Sequence, residues 1–123
     1  MIGYVTLGTN DLPRAAAFYD ALLAELGARR TWEYERGIGW GLTENGVSLG
    51  IMKPYDGKPA SVGNGVMVAL SASSKEMVDR VYKKALALGG TDEGPAGPRG
   101  GGSYYAGYFR DLDGNKLSVF FEA

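Results

Sequence analysis

Gly3-Tyr4-Val5-Thr6-Leu7 opens one stretch of this sequence, and Val66-Met67-Val68-Ala69-Leu70 opens another 63 positions later. Each runs into a helix signal with matching landmarks, Phe18-Tyr19 and Gly27 in the first, Val81-Tyr82 and Gly90 in the second. Val5 and Leu7 alternate with Tyr4 and Thr6, the period of a strand with one face buried. In the second stretch Val66, Val68 and Leu70 alternate with Met67 and Ala69 in the same way. A strand–helix unit that recurs at fixed spacing predicts a fold assembled from two copies of one unit.

Working outward, Asn10-Asp11 can cap a first helix, with Pro13 in its opening turn, where a missing N–H costs least. Ala15, Phe18, Tyr19, Leu22 and Leu26 follow at helical spacing and give one apolar stripe, which Gly27 ends. Three short strands are expected over residues 29–34, 39–42 and 47–53, separated by Gly37 and the Glu44-Asn45-Gly46 turn. Residues 53–64 carry Pro54, Gly57, Pro59 and Gly63 and read as a linker. A fifth strand is expected over 65–71. Ser73 and Glu76 then form a capping-box pattern for a second helix that ends at Gly89-Gly90. Val78, Val81, Tyr82 and Ala85 make its apolar face, while Glu76 with Arg80 and Asp79 with Lys83 read as pairs on its wet face. Residues 91–102 are glycine- and proline-rich and read as an extended segment with a flexible tip. Strands at 103–110 and 116–122 flank Asp111-Leu112-Asp113-Gly114-Asn115, whose Asp-Gly is a strong hairpin signal.

The expected architecture is α+β: two βαβββ modules, residues 1–53 and 65–123, joined by the linker 54–64 in a single domain. Each module alone would expose one face of a four-stranded sheet, so the modules must pair, within one chain or across a homodimer. Together they should form a curved, mostly antiparallel sheet with a concave cleft.

Composition narrows the function classes. The chain has 123 residues, a formal charge of −1, no cysteine and no histidine. It carries no basic run that would mark a nucleic-acid partner or an anionic membrane surface. No apolar stretch reaches the length of a membrane span, and Met1-Ile2-Gly3-Tyr4 does not read as a signal peptide. Absence of cysteine removes disulfides, thiol nucleophiles and thiolate metal sites, which fits a cytoplasmic protein.

Val5-Thr6-Leu7 with Asn10-Asp11-Leu12, Ala17-Phe18-Tyr19, and above all Phe109-Arg110-Asp111-Leu112-Asp113-Gly114-Asn115-Lys116-Leu117 resemble the vicinal oxygen chelate superfamily, the group of glyoxalase I, bleomycin-resistance proteins and extradiol dioxygenases. The resemblance spans the whole chain, with Leu112 where the family usually has proline. It implies that metal-dependent members place ligands on the concave face, at positions that fall here on Tyr4, Met67, Ser118 and near Gly50. None of the four is a good ligand for a divalent first-row ion. Strand parity agrees with that placement: Leu117 and Val119 should face the helices, leaving Ser118 and Phe120 for the concavity.

Carboxylates give few replacements. Asp111 and Asp113 could form an oxygen-only cation site or simply shape the hairpin turn. Glu33 and Glu35 could face a cleft or lie on a wet edge strand. Gly100-Gly101-Gly102 lacks the lysine and hydroxyl residue of a phosphate loop. What remains is aromatic. Tyr4, Met67, Tyr108, Ser118, Phe120 and Trp40 are the candidate ligand-binding residues, each of which could instead serve the core.

The leading expectation is a metal-free protein, without cofactor, that holds an aromatic or amphipathic small molecule in the manner of the bleomycin-resistance branch. The alternative is a lyase- or dioxygenase-type enzyme of the same superfamily with a non-standard or absent metal site. A third possibility is an interaction module without a ligand.

Overall fold

Two side chains start the two helices. The Asp11 carboxylate accepts from the Arg14 backbone N–H at 3.1 Å and opens α1 (Leu12–Ala24), with proline in its first turn. Ser74 does the same for α2 (Lys75–Ala87), accepting from the Met77 N–H at 3.1 Å. The cap is therefore Ser74 and not Ser73, whose hydroxyl instead lies 3.7 Å from the Met77 sulfur. A cap must place its oxygen over the N–H three residues on, and Ser74 is the residue at that offset from Met77.

The computed structural model describes residues 1–123. Its eight strands are β1 (Tyr4–Gly8), β2 (Arg29–Glu33), β3 (Gly37–Gly41), β4 (Ser48–Met52), β5 (Val68–Ser71), β6 (Thr91–Arg99), β7 (Tyr104–Arg110) and β8 (Lys116–Glu122). They form two four-stranded sheets, ordered β1-β4-β3-β2 and β5-β8-β7-β6. In each, the first strand lies parallel to the last strand of its own unit, and the other pairings are antiparallel. The two modules are thus topological copies, as the 63-residue echo predicts. The sheets stay separate in the chain: β1 and β5 are each outermost, with no ladder joining them.

The glycine-rich segment after α2 is more regular than expected. Thr91–Arg99 pairs with β7 at both ends and at Gly94, with register shifts on either side of Gly94. β6 is an outer strand, where Pro95 and Pro98 cost little because one side of the backbone faces no partner.

One core joins the halves. Leu7, Phe18, Tyr19, Leu22 and Ile51 of the first module pack with Val78, Val81, Phe109, Leu117 and Val119 of the second, all nearly or wholly buried. Trp40 belongs to this core, on the helix face of β3, and its indole N–H donates to Asp20 at 2.9 Å. Asp20 also takes a bidentate pair from Arg30, at 2.9 and 2.7 Å, which holds its carboxyl below the usual carboxylate range. The charges of α2 serve tertiary packing instead of the expected pairs along the helix. Arg80 reaches Glu25 at 3.5 Å, and Asp79 accepts from the Tyr105 hydroxyl at 2.7 Å.

The Asp111–Asn115 turn fastens the two modules. Asp111 is 5% exposed and accepts from the Tyr19 hydroxyl at 2.6 Å, the Asn115 side-chain amide at 3.0 Å, and the backbone N–H groups of Asp113 and Asn115 at 2.9 Å each. Asn115 also donates to the Gly8 carbonyl at 2.9 Å. Asp113 accepts from the Thr9 hydroxyl at 2.6 Å and the Asn10 N–H at 2.9 Å. Burial, then the neighbouring Asp111, push the Tyr19 phenol well above its ordinary range. Both turn carboxylates are thus committed to donors of the first module, and they settle on the hairpin role.

Removal of the Asp111 carboxylate strands two buried donors, Tyr19 and Asn115. Asp111→Ala is expected to cost about 3–5 kcal/mol in urea unfolding, and Tyr19→Phe about 1–2 kcal/mol, since Asp111 then keeps three other donors. A loss below about 1 kcal/mol for Asp111→Ala would contradict the clamp.

Candidate binding face and its aromatic lining

Strand parity sorts the side chains onto two faces. Leu7, Ile38, Trp40, Leu49, Ile51, Leu117 and Val119 go toward the helices and the core. The opposite faces of the two sheets carry the candidate site.

On the first sheet that face is built around glycine. Gly39 and Gly50 are register partners on β3 and β4. A Cβ at Gly50 would come within 2.7 Å of the Trp32 ring, and one at Gly39 would overlap it. The absent side chains are what let the indole lie against the backbone. Its N–H donates to the Ser48 hydroxyl at 3.1 Å, which fixes the ring in its plane. Tyr4 meets Trp32 edge-on at 6.3 Å, and Tyr34 meets it at 5.8 Å.

Residues 54–61 fold over one end of this face. Asn10 holds them by a reciprocal pair: its carbonyl accepts from the Ala60 N–H at 2.6 Å, and its amide donates to the Ala60 carbonyl at 3.3 Å. A cavity of about 540 Å³ lies beneath, bordered by Tyr4, Thr6, Arg36, Met52 and Tyr55 among others. Arg36 stacks over Tyr55 at 5.2 Å and donates to the Lys53 carbonyl at 3.0 Å. Glu35 pairs with Lys53 and Glu33 with Arg30, so both glutamates are occupied on exposed edges.

On the second sheet, Tyr104 stacks on Phe120 at 5.5 Å, with an angle of 19° between the rings. Burial, then the neighbouring Tyr108 and Glu122, raise the Tyr104 phenol. Tyr108 sits opposite Ser118 in the β7–β8 ladder. Ser118 is wholly buried, and its hydroxyl is the one buried side-chain polar atom without a hydrogen-bond partner. Such a group costs about 1–3 kcal/mol unless something compensates it.

The expected residues divide as follows. Tyr4 lies on the face of the first sheet, and Tyr108, Ser118 and Phe120 share the face of the second. Met67 precedes β5, is 43% exposed, and borders two cavities. Trp40 is corrected: Gly39 and Gly41 occupy the open face of β3, which sends Trp40 to the core. Trp32 is the residue that sequence reasoning passed over. The signal was available in the alternation Gly37, Gly39, Gly41, which leaves one face of a strand bare for a large ring.

The donor set at the four positions of the expected metal site is a phenol, a thioether, a buried hydroxyl and a glycine. No three carboxylate, thiolate or imidazole side chains converge anywhere in the chain. These groups do not suit a divalent first-row ion, which favours imidazole and carboxylate donors.

A family model described as the Glyoxalase/Bleomycin resistance protein/Dioxygenase superfamily matches residues 1–119. The chain is similar to the crystal structure of a glyoxalase/bleomycin resistance protein from Albidiferax ferrireducens T118, at 35% identity and a TM-score of 0.91, covering 100% of this chain and 99% of that one. A glyoxalase-related enzyme from Fulvimarina pelagi shares the fold at 22% identity and a TM-score of 0.77, over 99% and 88% of the two chains. Lactoylglutathione lyase from Agrobacterium tumefaciens shares it at 23% identity and a TM-score of 0.70, over 98% and 92%. No curated protein matches the chain.

Because the Ser118 hydroxyl has no partner, Ser118→Ala is expected to leave stability unchanged or raise it by up to about 1 kcal/mol in chemical denaturation. A loss above about 1 kcal/mol would show that the hydroxyl is satisfied after all.

Proposed function

We propose, from the premise that this chain belongs to the glyoxalase/bleomycin resistance protein/dioxygenase superfamily, that it is a metal-free protein that captures a small aromatic or amphipathic molecule. The supporting observation is the aromatic lining of both open sheet faces: Tyr4, Trp32 and Tyr34 on one, Tyr104, Tyr108 and Phe120 on the other. Flat rings with a polar edge bind other flat molecules at low entropic cost, and a few hydroxyl groups among them fix orientation. The donor chemistry supports the metal-free part, since a Lewis acid needs imidazole or carboxylate ligands where this chain has a phenol, a thioether, a buried hydroxyl and a glycine.

The same reading takes the protein as a homodimer. β1 and β5 are outermost strands, and an open strand edge seeks another strand. Ile2, Val47, Val66 and Met67 near those edges are 43–63% exposed. An apolar groove of about 570 Å³ runs between the modules beside them. A second copy offers the same edges and the same apolar residues, so a symmetric contact would cover both.

A thermal-shift panel tests the binding. Aromatic metabolites and antibiotics are run alongside Mn²⁺, Fe²⁺, Ni²⁺, Zn²⁺ and Mg²⁺, each with and without EDTA. A stabilisation of roughly 2.7 kcal/mol is expected from a true ligand at a hundredfold excess over Kd. It should be lost in Tyr108→Ala or Met67→Lys. A metal shift reversed by EDTA would overturn the metal-free reading. Separately, light scattering coupled to size exclusion should give twice the 13.1 kDa chain mass, and a monomer at micromolar concentration would overturn the dimer.

A further inference from the structure

The charges of the second sheet's open face are arranged against one another. Arg110 and Lys116 are direct register partners on β7 and β8, on the same face as Tyr108, Ser118 and Phe120. Like charges directly opposite in a ladder repel, so this pair carries a cost that something negative would relieve. Arg99 adds a third cation. It lies across Gly94 and Gly97, where a Cβ would come 3.5 and 3.4 Å from its guanidinium nitrogens. Its Cζ stands 5.5 Å from the centre of the Tyr108 ring, and the Lys116 ammonium stands 5.8 Å from the same centre. Tyr108 is thus approached by a cation from each neighbouring strand.

Counter-charges are few here, and Glu122 lies at the far end of β8, opposite Tyr104 and at the other end of the ladder from the Arg110–Lys116 pair. Arg99 donates only to the backbone carbonyls of Pro95 and Pro98, at 2.6 and 3.2 Å. Lys116 forms no ion pair. Arg110 has one carboxylate, Glu93, at 3.5 Å. Asp111 and Asp113 of the intervening turn are bonded to donors of the first module. The chain as a whole carries −1, so this surplus is local. It also borders an open volume: a cavity of about 380 Å³ lined by Arg110, Lys116 and the 62–67 segment with its Gly63-Asn64-Gly65 turn.

We propose that this cavity binds the oxyanion of the ligand, a carboxylate or a phosphate held by Arg110 and Lys116 while the ligand's ring lies toward Tyr108. The inference rests on the small-molecule reading above and gives it a charge. An oxyanion would convert the repelling pair into two charge-assisted hydrogen bonds, the stronger class of such bonds. Arg110 is already held by the Gly114 carbonyl at 2.9 Å, which orients its guanidinium before any ligand arrives.

Benzoate, phenyl phosphate, benzamide, benzylamine and inorganic phosphate are the probes, followed by calorimetry and by amide shifts in a nitrogen-labelled sample. Benzoate or phenyl phosphate should bind at least about tenfold more tightly than benzamide or benzylamine, and more weakly as salt rises. The larger of the two anionic affinities identifies the source as a carboxylic acid or a phosphate ester. Shifts should concentrate at residues 62–67 and 108–118. Lys116→Gln should weaken anion binding about tenfold, and Arg99→Gln should do so to a lesser degree. Lys75→Gln, at a cation over Tyr105, should change nothing. Lys116→Gln keeps the aliphatic stem of a half-exposed residue, and Arg99→Gln serves if the first variant fails to fold. Inorganic phosphate alone shifting the same residues supports the oxyanion site. Equal affinity for benzamide and benzoate, or an unchanged Lys116→Gln, overturns it. In that case benzamide binding that depends on Tyr108 still upholds the aromatic reading. If no probe binds, the oxyanion site falls, and the wider thermal-shift panel decides the aromatic reading by itself.

Discussion

The Asp111 carboxylate is the interaction on which the rest of this structure depends. It accepts four hydrogen bonds from inside a nearly sealed turn, one of them from a tyrosine in the other module. A buried carboxylate is tolerable only when its oxygens are fully engaged, and here every donor that engages them also fixes something. Tyr19 ties α1 to the turn. Asn115 ties the turn to the end of β1. Asp113, one residue beyond Leu112, ties it to Thr9 and Asn10. The same Asn10 holds residue 60 of the linker. A single five-residue turn therefore sets the relation of the two sheets and the position of the segment that borders the first sheet's cavity.

The two open faces use different means to the same end. The first is carved by glycine and filled by one indole, with Trp32 lying where Gly39 and Gly50 leave the backbone bare. The second is carved by glycine too, but what lies on Gly94 and Gly97 is a guanidinium. The consequence is a chemical asymmetry between two modules of identical topology. One face is aromatic with balanced charges at its rim, where Glu35 meets Lys53. The other joins aromatic rings to three cations, with Glu93 paired to Arg110 and Glu122 at the far end of β8. A repeated fold thus presents two unlike surfaces, which is what orienting an unsymmetrical small molecule requires.

Much of this was readable in advance because it rests on local rules. Both strand–helix units, the Asp11 cap, the stop at Gly27 and the 111–115 turn follow from spacing and residue type alone. Strand parity placed Ser118 and Phe120 opposite the core face of β8 without any coordinates. The readings that failed share a cause. Ser73 and Ser74 are indistinguishable until the helix start is known. Glu76 with Arg80, and Asp79 with Lys83, look like pairs along one helix until neighbouring elements bring Glu25 and Tyr105 within reach. Trp40 and Trp32 look alike in the sequence, and only the register shift between Arg30 and Trp32, which sets Arg30 opposite Trp40 and Trp32 opposite Gly39, sends one to the core and the other to the open face.

By itself the sequence determined the repeat, the element order, which faces are apolar, and the poverty of metal-ligating side chains, because each of these is a property of residue type and short-range period. The tertiary structure alone decided that the two sheets remain separate within the chain, that the turn aspartates fasten the modules, and that Arg99, Arg110 and Lys116 gather on one face around Tyr108. Those outcomes depend on long-range register, and hydrogen bonds between residues a hundred positions apart leave no trace in local spacing.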